Sequence, residues 1–299
     1  MNTGMAAAKE WQFARHGRQL AVMEWGPADG EPIIALHGWL DNAASFSLLA
    51  QLLAALKPEL RIIALDFAGH GLSDHLGGGQ SYYSWDHVAD VYALLAELKL
   101  KKVALLGHSL GAGVATLLAA AFPERISQLF LIDGLVPLTY PVAELPQLMA
   151  KAVRRSVRLS ARLSNPSLKP YASFEQAVAA RMNSRWPVSE SAAIALLNRG
   201  LQQTEQGWVW RSDMALTQPS VVRLCEAQLV AVVQQLRMPV LLVMVEGGEE
   251  LALLEPLLDE VPDLTLYTLV GSHHLHLEDK PARLISSWIN ARLTARVKS

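Results

Sequence analysis

VALLGHSLGAG, residues 103–113, sets an uninterrupted apolar run against a run of small residues, with a single serine between them. The first part has the length of a strand buried on both faces, and LGAGVATLLAAAF has the composition of a buried helix. A chain that passes from strand to helix over one serine turns so sharply that side chains two positions to either side collide. Gly107 and Gly111 remove those side chains. The turn lifts the Ser109 hydroxyl above the sheet end and directs the Leu110 N–H, at the positive end of a helix, toward a developing negative charge. GHSLG therefore reads as a nucleophile elbow, the alternative being a glycine-rich packing turn with a capping serine.

The same alternation extends along the chain. RQLAVMEW (18–25), PIIALHG (32–38), RIIALDFAG (61–69) and ISQLFLID (126–133) read as strands, with SFSLLAQLLAALK and SWDHVADVYALLAEL as helices among them. This predicts an α/β fold with a mostly parallel central sheet flanked by helices. From 136 to 235 the rhythm breaks into helical segments such as KAVRRSVRLSARL, which predicts an inserted helical cap. The core then comprises 1–135 and 236–299, where PVLLVMVEGG (239–248) and LTLYTLVGS (264–272) return to the same sheet and PARLISSWINARL closes the chain as a helix.

Composition narrows the function. With 299 residues, 51% hydrophobic and 18% charged, the chain has the make-up of a globular protein with a large core. A formal net charge of −2 gives no reason to expect nucleic acid as a partner. The single Cys225 allows no disulfide within the chain and reads as a buried thiol inside the helix RLCEAQLVAVVQQL. Lys9, Glu10 and Arg15 interrupt any secretory core, and no long uncharged apolar run offers a transmembrane segment, so a cytoplasmic protein is expected.

Two further loops bear on Ser109. ALHGWLDN (35–42) follows a strand, and its turn offers the N–H of Trp39 as a second oxyanion donor beside Leu110. GSHHLHLEDKP supplies His273, His274 and His276, one of which is the expected base. No cysteine or carboxylate cluster at ligand spacing accompanies them, so no metal is expected.

Taken together, ALHGW, DFAGHGLSD (66–74), GHSLG and GSHHLHLE resemble the α/β-hydrolase fold serine hydrolases. The HGWLDN stretch and the insertion most resemble the serine hydrolase-like branch of that superfamily. The resemblance implies that the base opens a GH-x-x-x-x-E pattern, and counting back from Glu278 selects His273, with Ser272 in place of the usual glycine. His70 and Asp74 are expected to organise turns. A serine at the elbow argues against the aspartate-dependent dehalogenases and epoxide hydrolases of this fold. The family's usual acid follows the seventh strand, where VMVEGGEEL offers Glu246, Glu249 and Glu250 but no aspartate. The family's alternative position follows the sixth strand and holds Asp133, so Asp133 and Glu246 both remain candidates.

These residues predict a carboxylesterase-type serine hydrolase that takes a small-molecule acyl substrate and needs no cofactor. Thioesters, lactones, carbon–carbon bonds and peroxide-dependent acyl transfer use the same parts, and a catalytically silent binding protein is the rival from another class. In the insertion, Lys151, Arg154, Arg155, Arg158 and Arg162 recur at helical spacing, read as a solvated face or as a site for acidic tails or membrane phosphates. Trp186, Trp208 and Trp210 are expected to pack between insertion and sheet, or to line an acyl pocket.

Overall fold

The computed structural model describes residues 8–77, 80–163, 170–218, 220 and 222–296, and the side chains of 159–163 and 296 are outside that description. The chain opens with β1 (Lys9–Arg15), β2 (Arg18–Trp25) and β3 (Glu31–Leu36), then α1 (Ser47–Leu56), β4 (Leu60–Leu65), α2 (Ser84–Glu97), β5 (Val103–His108), α3 (Leu110–Ala121) and β6 (Ile126–Ile132). The insertion follows with α4 (Leu145–Leu163), α5 (Phe174–Met182), α6 (Glu190–Gly200), β7 (Leu201–Thr204), β8 (Gly207–Trp210) and α7 (Glu226–Val233). β9 (Val240–Val245), α8 (Glu249–Leu258), β10 (Leu264–Leu269) and α9 (Asp279–Arg296) complete the chain.

Eight strands form one sheet in the order β1-β2-β4-β3-β5-β6-β9-β10. β1 and β2 are antiparallel, β2 is antiparallel to β4, and the remaining pairs are parallel. β5 sits near the centre and every one of its residues is buried, which is why its sequence is a plain apolar run without alternation. One apolar cluster fills the face covered by α2, α3 and α7, and a second fills the face covered by α1 and α9. β6 pairs with β9, so the strands on either side of the insertion do share one sheet.

Three local readings differ from the sequence expectation. β1 was not anticipated, because its mostly exposed residues carry no buried apolar pattern; it is held by its full register with β2. The insertion is not wholly helical: β7 and β8 form a separate hairpin, each strand of four residues and short of the length that periodicity reveals. Cys225 lies at the cap of α7 and not inside it, half-buried, because the helix begins only at Glu226. Among the described residues no helix is long and apolar enough to cross a membrane.

Candidate active site

Parallel strands β3, β5, β6 and β9 bring their carboxyl ends to one edge of the sheet, and the loops that leave them meet there. Ser109 joins β5 to α3 with φ 50° and ψ −113°, a conformation that costs a non-glycine residue about 1–3 kcal/mol. The turn is locked from both sides. Ser109 N–H donates to Ile132 O at 3.0 Å, and Ser109 O accepts from Ala112 at 3.0 Å and Gly113 at 3.2 Å. A Cβ on Gly107 would lie 2.6 Å from Ala112 Cα, and one on Gly111 would lie 1.9 Å from Leu36 O. The two elbow glycines thus have a steric cause: the first turn of α3 rests directly on the end of β3.

Asp133 follows β6 with φ 45°. Its N–H donates to Val243 O at 2.8 Å, and its Oδ1 accepts the Val245 N–H at 3.0 Å, so the end of β9 fixes the carboxylate. Oδ2 lies 2.6 Å from His273 Nδ1, with the side chains 1% and 9% exposed respectively. Glu246 takes no part in this contact: it is exposed, and its N–H donates to Leu269 O. Between the two candidate acids, the geometry pairs His273 with Asp133. With Nδ1 engaged, Nε2 is the ring nitrogen left to exchange a proton with a hydroxyl.

The oxyanion donors anticipated from sequence lie on two loops in contact. A Cβ on Gly38 would approach His108 Nδ1 to 2.7 Å, so the loop after β3 lies against the residue preceding Ser109. Among the described residues, the backbone N–H groups of Trp39 and Leu110 have no hydrogen-bond partner. Leu110 is the first residue of α3, where a free N–H is inherent to a helix start. The Trp39 indole donates to Leu216 O at 2.9 Å, which ties this loop to the insertion. His37 is structural: Phe67 N–H donates to its Nε2 at 3.1 Å, its Nδ1 donates to Gly38 O at 2.7 Å, and burial lowers its pKa.

Beneath the site lies a polar cluster that sequence reading missed. His108 donates from Nε2 to His273 O at 2.9 Å, holding the base loop against the elbow. His274 Nε2 lies 3.0 Å from Asp41 Oδ2 and 3.1 Å from Arg181 Nη2, and the guanidinium is 3.5 Å from Asp41 Oδ1. Burial opposes the Asp41 charge, but His274 and Arg181 outweigh it and hold its carboxyl far below the usual range. Burial, with the neighbouring histidines, keeps His108 neutral and pushes His276 down to about 3. Asp41, His108 and His274 bring one donor atom each within 4.8 Å of one another, close enough to suggest a metal. Arg181, however, already supplies positive charge to the same carboxylate and the same imidazole nitrogen, so the donor set does not call for a dication.

Residues of the 136–235 segment meet the base loop at this edge. The Trp186 ring lies 5.0 Å from that of His273, and Arg181 donates to Trp186 O at 2.7 Å. Ser189 N–H donates to Glu278 Oε1 at 2.8 Å, so Glu278 fastens the base loop to α6. Trp208 and Trp210 pack inside the insertion, against Phe174 and Tyr171. His70 Nδ1 engages Ala68 O at 3.1 Å within its turn, whereas Asp74 accepts the Gln19 N–H at 2.8 Å and ties that loop to β2. The surface depression lined by Leu95, Lys99, Lys101 and Arg125 lies at the opposite ends of β5 and β6, away from Ser109.

Comparison with known proteins adds the lineage. Residues 31–243 match the family model described as the alpha/beta hydrolase fold. The chain is 31% identical to serine hydrolase-like protein 2 of Homo sapiens over 72% of this chain and 67% of that one. It is 28% identical to a serine hydrolase-like protein of Danio rerio over 92% and 86%. Among solved structures, a hypothetical protein of Pseudomonas aeruginosa PAO1 superposes with a TM-score of 0.87 at 42% identity, covering 95% of this chain and 99% of that one. A thioesterase domain from the curacin biosynthetic pathway, at 24% identity and a TM-score of 0.81, shares the fold.

Proposed function

The chain belongs to the alpha/beta hydrolase family, in its serine hydrolase-like branch, and from that premise we propose that it hydrolyses ester-like acyl substrates through Ser109, His273 and Asp133. The observation that carries the reading is the 2.6 Å contact between His273 Nδ1 and buried Asp133, on loops that flank a strained serine. In this scheme His273 Nε2 takes the Ser109 proton as Oγ attacks the acyl carbon. The free N–H groups of Leu110 and Trp39 receive the oxyanion of the tetrahedral intermediate. Collapse breaks the bond to the leaving group, which departs with the proton from His273, and leaves an acyl group on Ser109. Water then attacks the acyl carbon, giving a proton to His273; collapse of the second tetrahedral intermediate breaks the bond to Ser109 Oγ, which takes that proton from His273, and the acid is released. Asp133 holds the accepting tautomer and stabilises the imidazolium at each stage.

The segment 136–235 serves as the cap of this enzyme, and Trp186, its ring tilted against that of His273, forms part of the wall that an acyl chain meets. A carboxylesterase-type reaction is the leading form. A thioester, a lactone, a carbon–carbon bond beside a carbonyl, or peroxide in place of water would use the same groups, and the leaving group separates them.

Pre-steady-state kinetics with chromogenic acyl esters and thioesters of graded chain length test the proposal. A burst of leaving group stoichiometric with the protein, absent in Ser109→Ala at unchanged melting temperature, is expected. A burst that survives Ser109→Ala would overturn it.

A further inference from the structure

Helix α4 presents to solvent what an amphipathic helix ordinarily buries. Met149, Val153 and Val157 are 43%, 52% and 67% exposed, and Leu138 and Val142 on the segment that leads to the helix are 71% and 67% exposed. At about 100° per residue, Met149, Val153 and Val157 fall within an arc of about 80°. Ala152, 2% exposed, lies outside that arc, on the side that meets the protein. The apolar stripe therefore faces outward and is not a face packed on the core.

The charges beside it are of one sign. Lys151, Arg154 and Arg158 occupy an adjoining arc of about 60° on the same outward half of the helix. All three are exposed and none has an acidic partner among the described residues, while Arg155 donates to Thr217 Oγ1 at 3.3 Å. The helix sequence LPQLMAKAVRRSVRLSARL contains no aspartate or glutamate. A polar face made of cations, low overall hydrophobicity and an outward apolar stripe are the features of a helix that lies in the plane of a lipid interface. A second copy of this chain fits the face poorly, because a two-fold contact of α4 with itself would oppose its cations.

We infer that α4 docks this protein on a membrane surface bearing anionic phospholipid, with Val153 and Val157 entering the acyl boundary and Lys151, Arg154 and Arg158 meeting the headgroup phosphates. The helix also adjoins the candidate site. Its chain continues from Asp133 at the end of β6, and Arg155 bonds Thr217 in the same turn whose Leu216 O accepts the Trp39 indole. Docking thus sets the sheet edge that carries Ser109 beside the lipid. The inference concerns binding and stands whether or not Ser109 turns over a substrate.

Co-sedimentation of the full chain with phosphatidylcholine vesicles, with and without phosphatidylserine, tests it. Binding is expected only with phosphatidylserine, and to weaken with added salt. The triple variant Lys151→Gln, Arg154→Gln, Arg158→Gln should lower partitioning by about a hundredfold, at about fivefold per cation. Val153→Ser with Val157→Ser should lower it by at least about tenfold, since each removes apolar area that the lipid would bury. Every substituted side chain is exposed, so melting temperatures should match the wild type. No binding to phosphatidylserine vesicles, equal binding to phosphatidylcholine alone, or binding indifferent to either variant would overturn the inference. So would an absence of vesicle binding combined with self-association, or with capture of an acidic protein, that the valine variant abolishes.

Discussion

Asp133→Asn exchanges an oxygen for an NH2 group at a contact of 2.6 Å and leaves the size of the side chain unchanged. Asparagine can still accept the Val245 N–H through Oδ1, as the carboxylate does at 3.0 Å, so the loop after β6 keeps its anchor. The NH2 group then donates to His273 Nδ1, which moves the ring proton to Nε2. In that tautomer Nε2 cannot accept the Ser109 proton, and no buried charge remains to stabilise an imidazolium. In serine triads the loss is about 10³–10⁴ in turnover, equivalent to about 4–5.5 kcal/mol of barrier. The stability cost is smaller, about 1–1.5 kcal/mol, the difference between a hydrogen bond to a charged group and a neutral one. Steady-state turnover of a chromogenic ester, read beside a thermal melt, separates the two effects. Glu246→Gln, at an exposed position, should remain near wild type in both. An Asp133→Asn enzyme within tenfold of wild type, or an equal loss in Glu246→Gln, would refute the assignment of the acid.

Gly111→Val should abolish soluble expression or unfold the protein at markedly lower temperature, because its Cβ would meet the Leu36 carbonyl at 1.9 Å and backbone cannot yield as a side chain does; a wild-type melt would contradict the elbow packing. Acid sensitivity follows from His87 and His276, each pushed by burial from 6.5 to about 3. The folded state keeps these groups neutral while the unfolded chain takes up protons below about pH 6.5, so stability is full above that pH. It falls by about 1.4 kcal/mol per pH unit per group until about pH 3. Melts from neutral to acid pH should show the decline, and His87→Phe, set between Phe67 and Tyr82, should flatten it; an unaltered slope would contradict the cause. Asp41→Ala should cost about 3–5 kcal/mol by stranding Arg181 beside His274, as breaking one side of a buried ion pair does, and a variant as stable as wild type in denaturant melts would contradict the cluster.

What the sequence disclosed and what it withheld divide along the length scale of the interaction. The elbow was legible because its cause is local: two glycines and a serine within five residues, between an unbroken apolar run of strand length and a run of small residues with the composition of a buried helix. The base loop was legible as three histidines after the last strand, but choosing His273 needed the resemblance, and its pairing with Asp133 spans 140 residues. The two candidate acids looked alike because sequence does not reveal that Val245 N–H holds one carboxylate in place while Glu246 faces solvent. The Asp41, His274 and Arg181 cluster left no local signal at all, since Asp41 and His274 lie 233 residues apart and meet only when β3 and β10 join one sheet. β7 and β8 escaped for the opposite reason, being too short for their period to show. In α4 the basic residues were evident from their spacing, whereas exposure of the apolar stripe beside them depends on how the helix is seated. Arg162, grouped with them by spacing, lies outside the described side chains.

The central claim is that Ser109 is an activated nucleophile held above the sheet. Treatment of the folded protein with a fluorophosphonate probe, followed by peptide mass analysis, measures that directly. A single adduct on Ser109, lost in His273→Ala while the melting temperature is retained, is the expected result. An unlabelled Ser109 in a fully folded protein, or labelling that persists without His273, would contradict it.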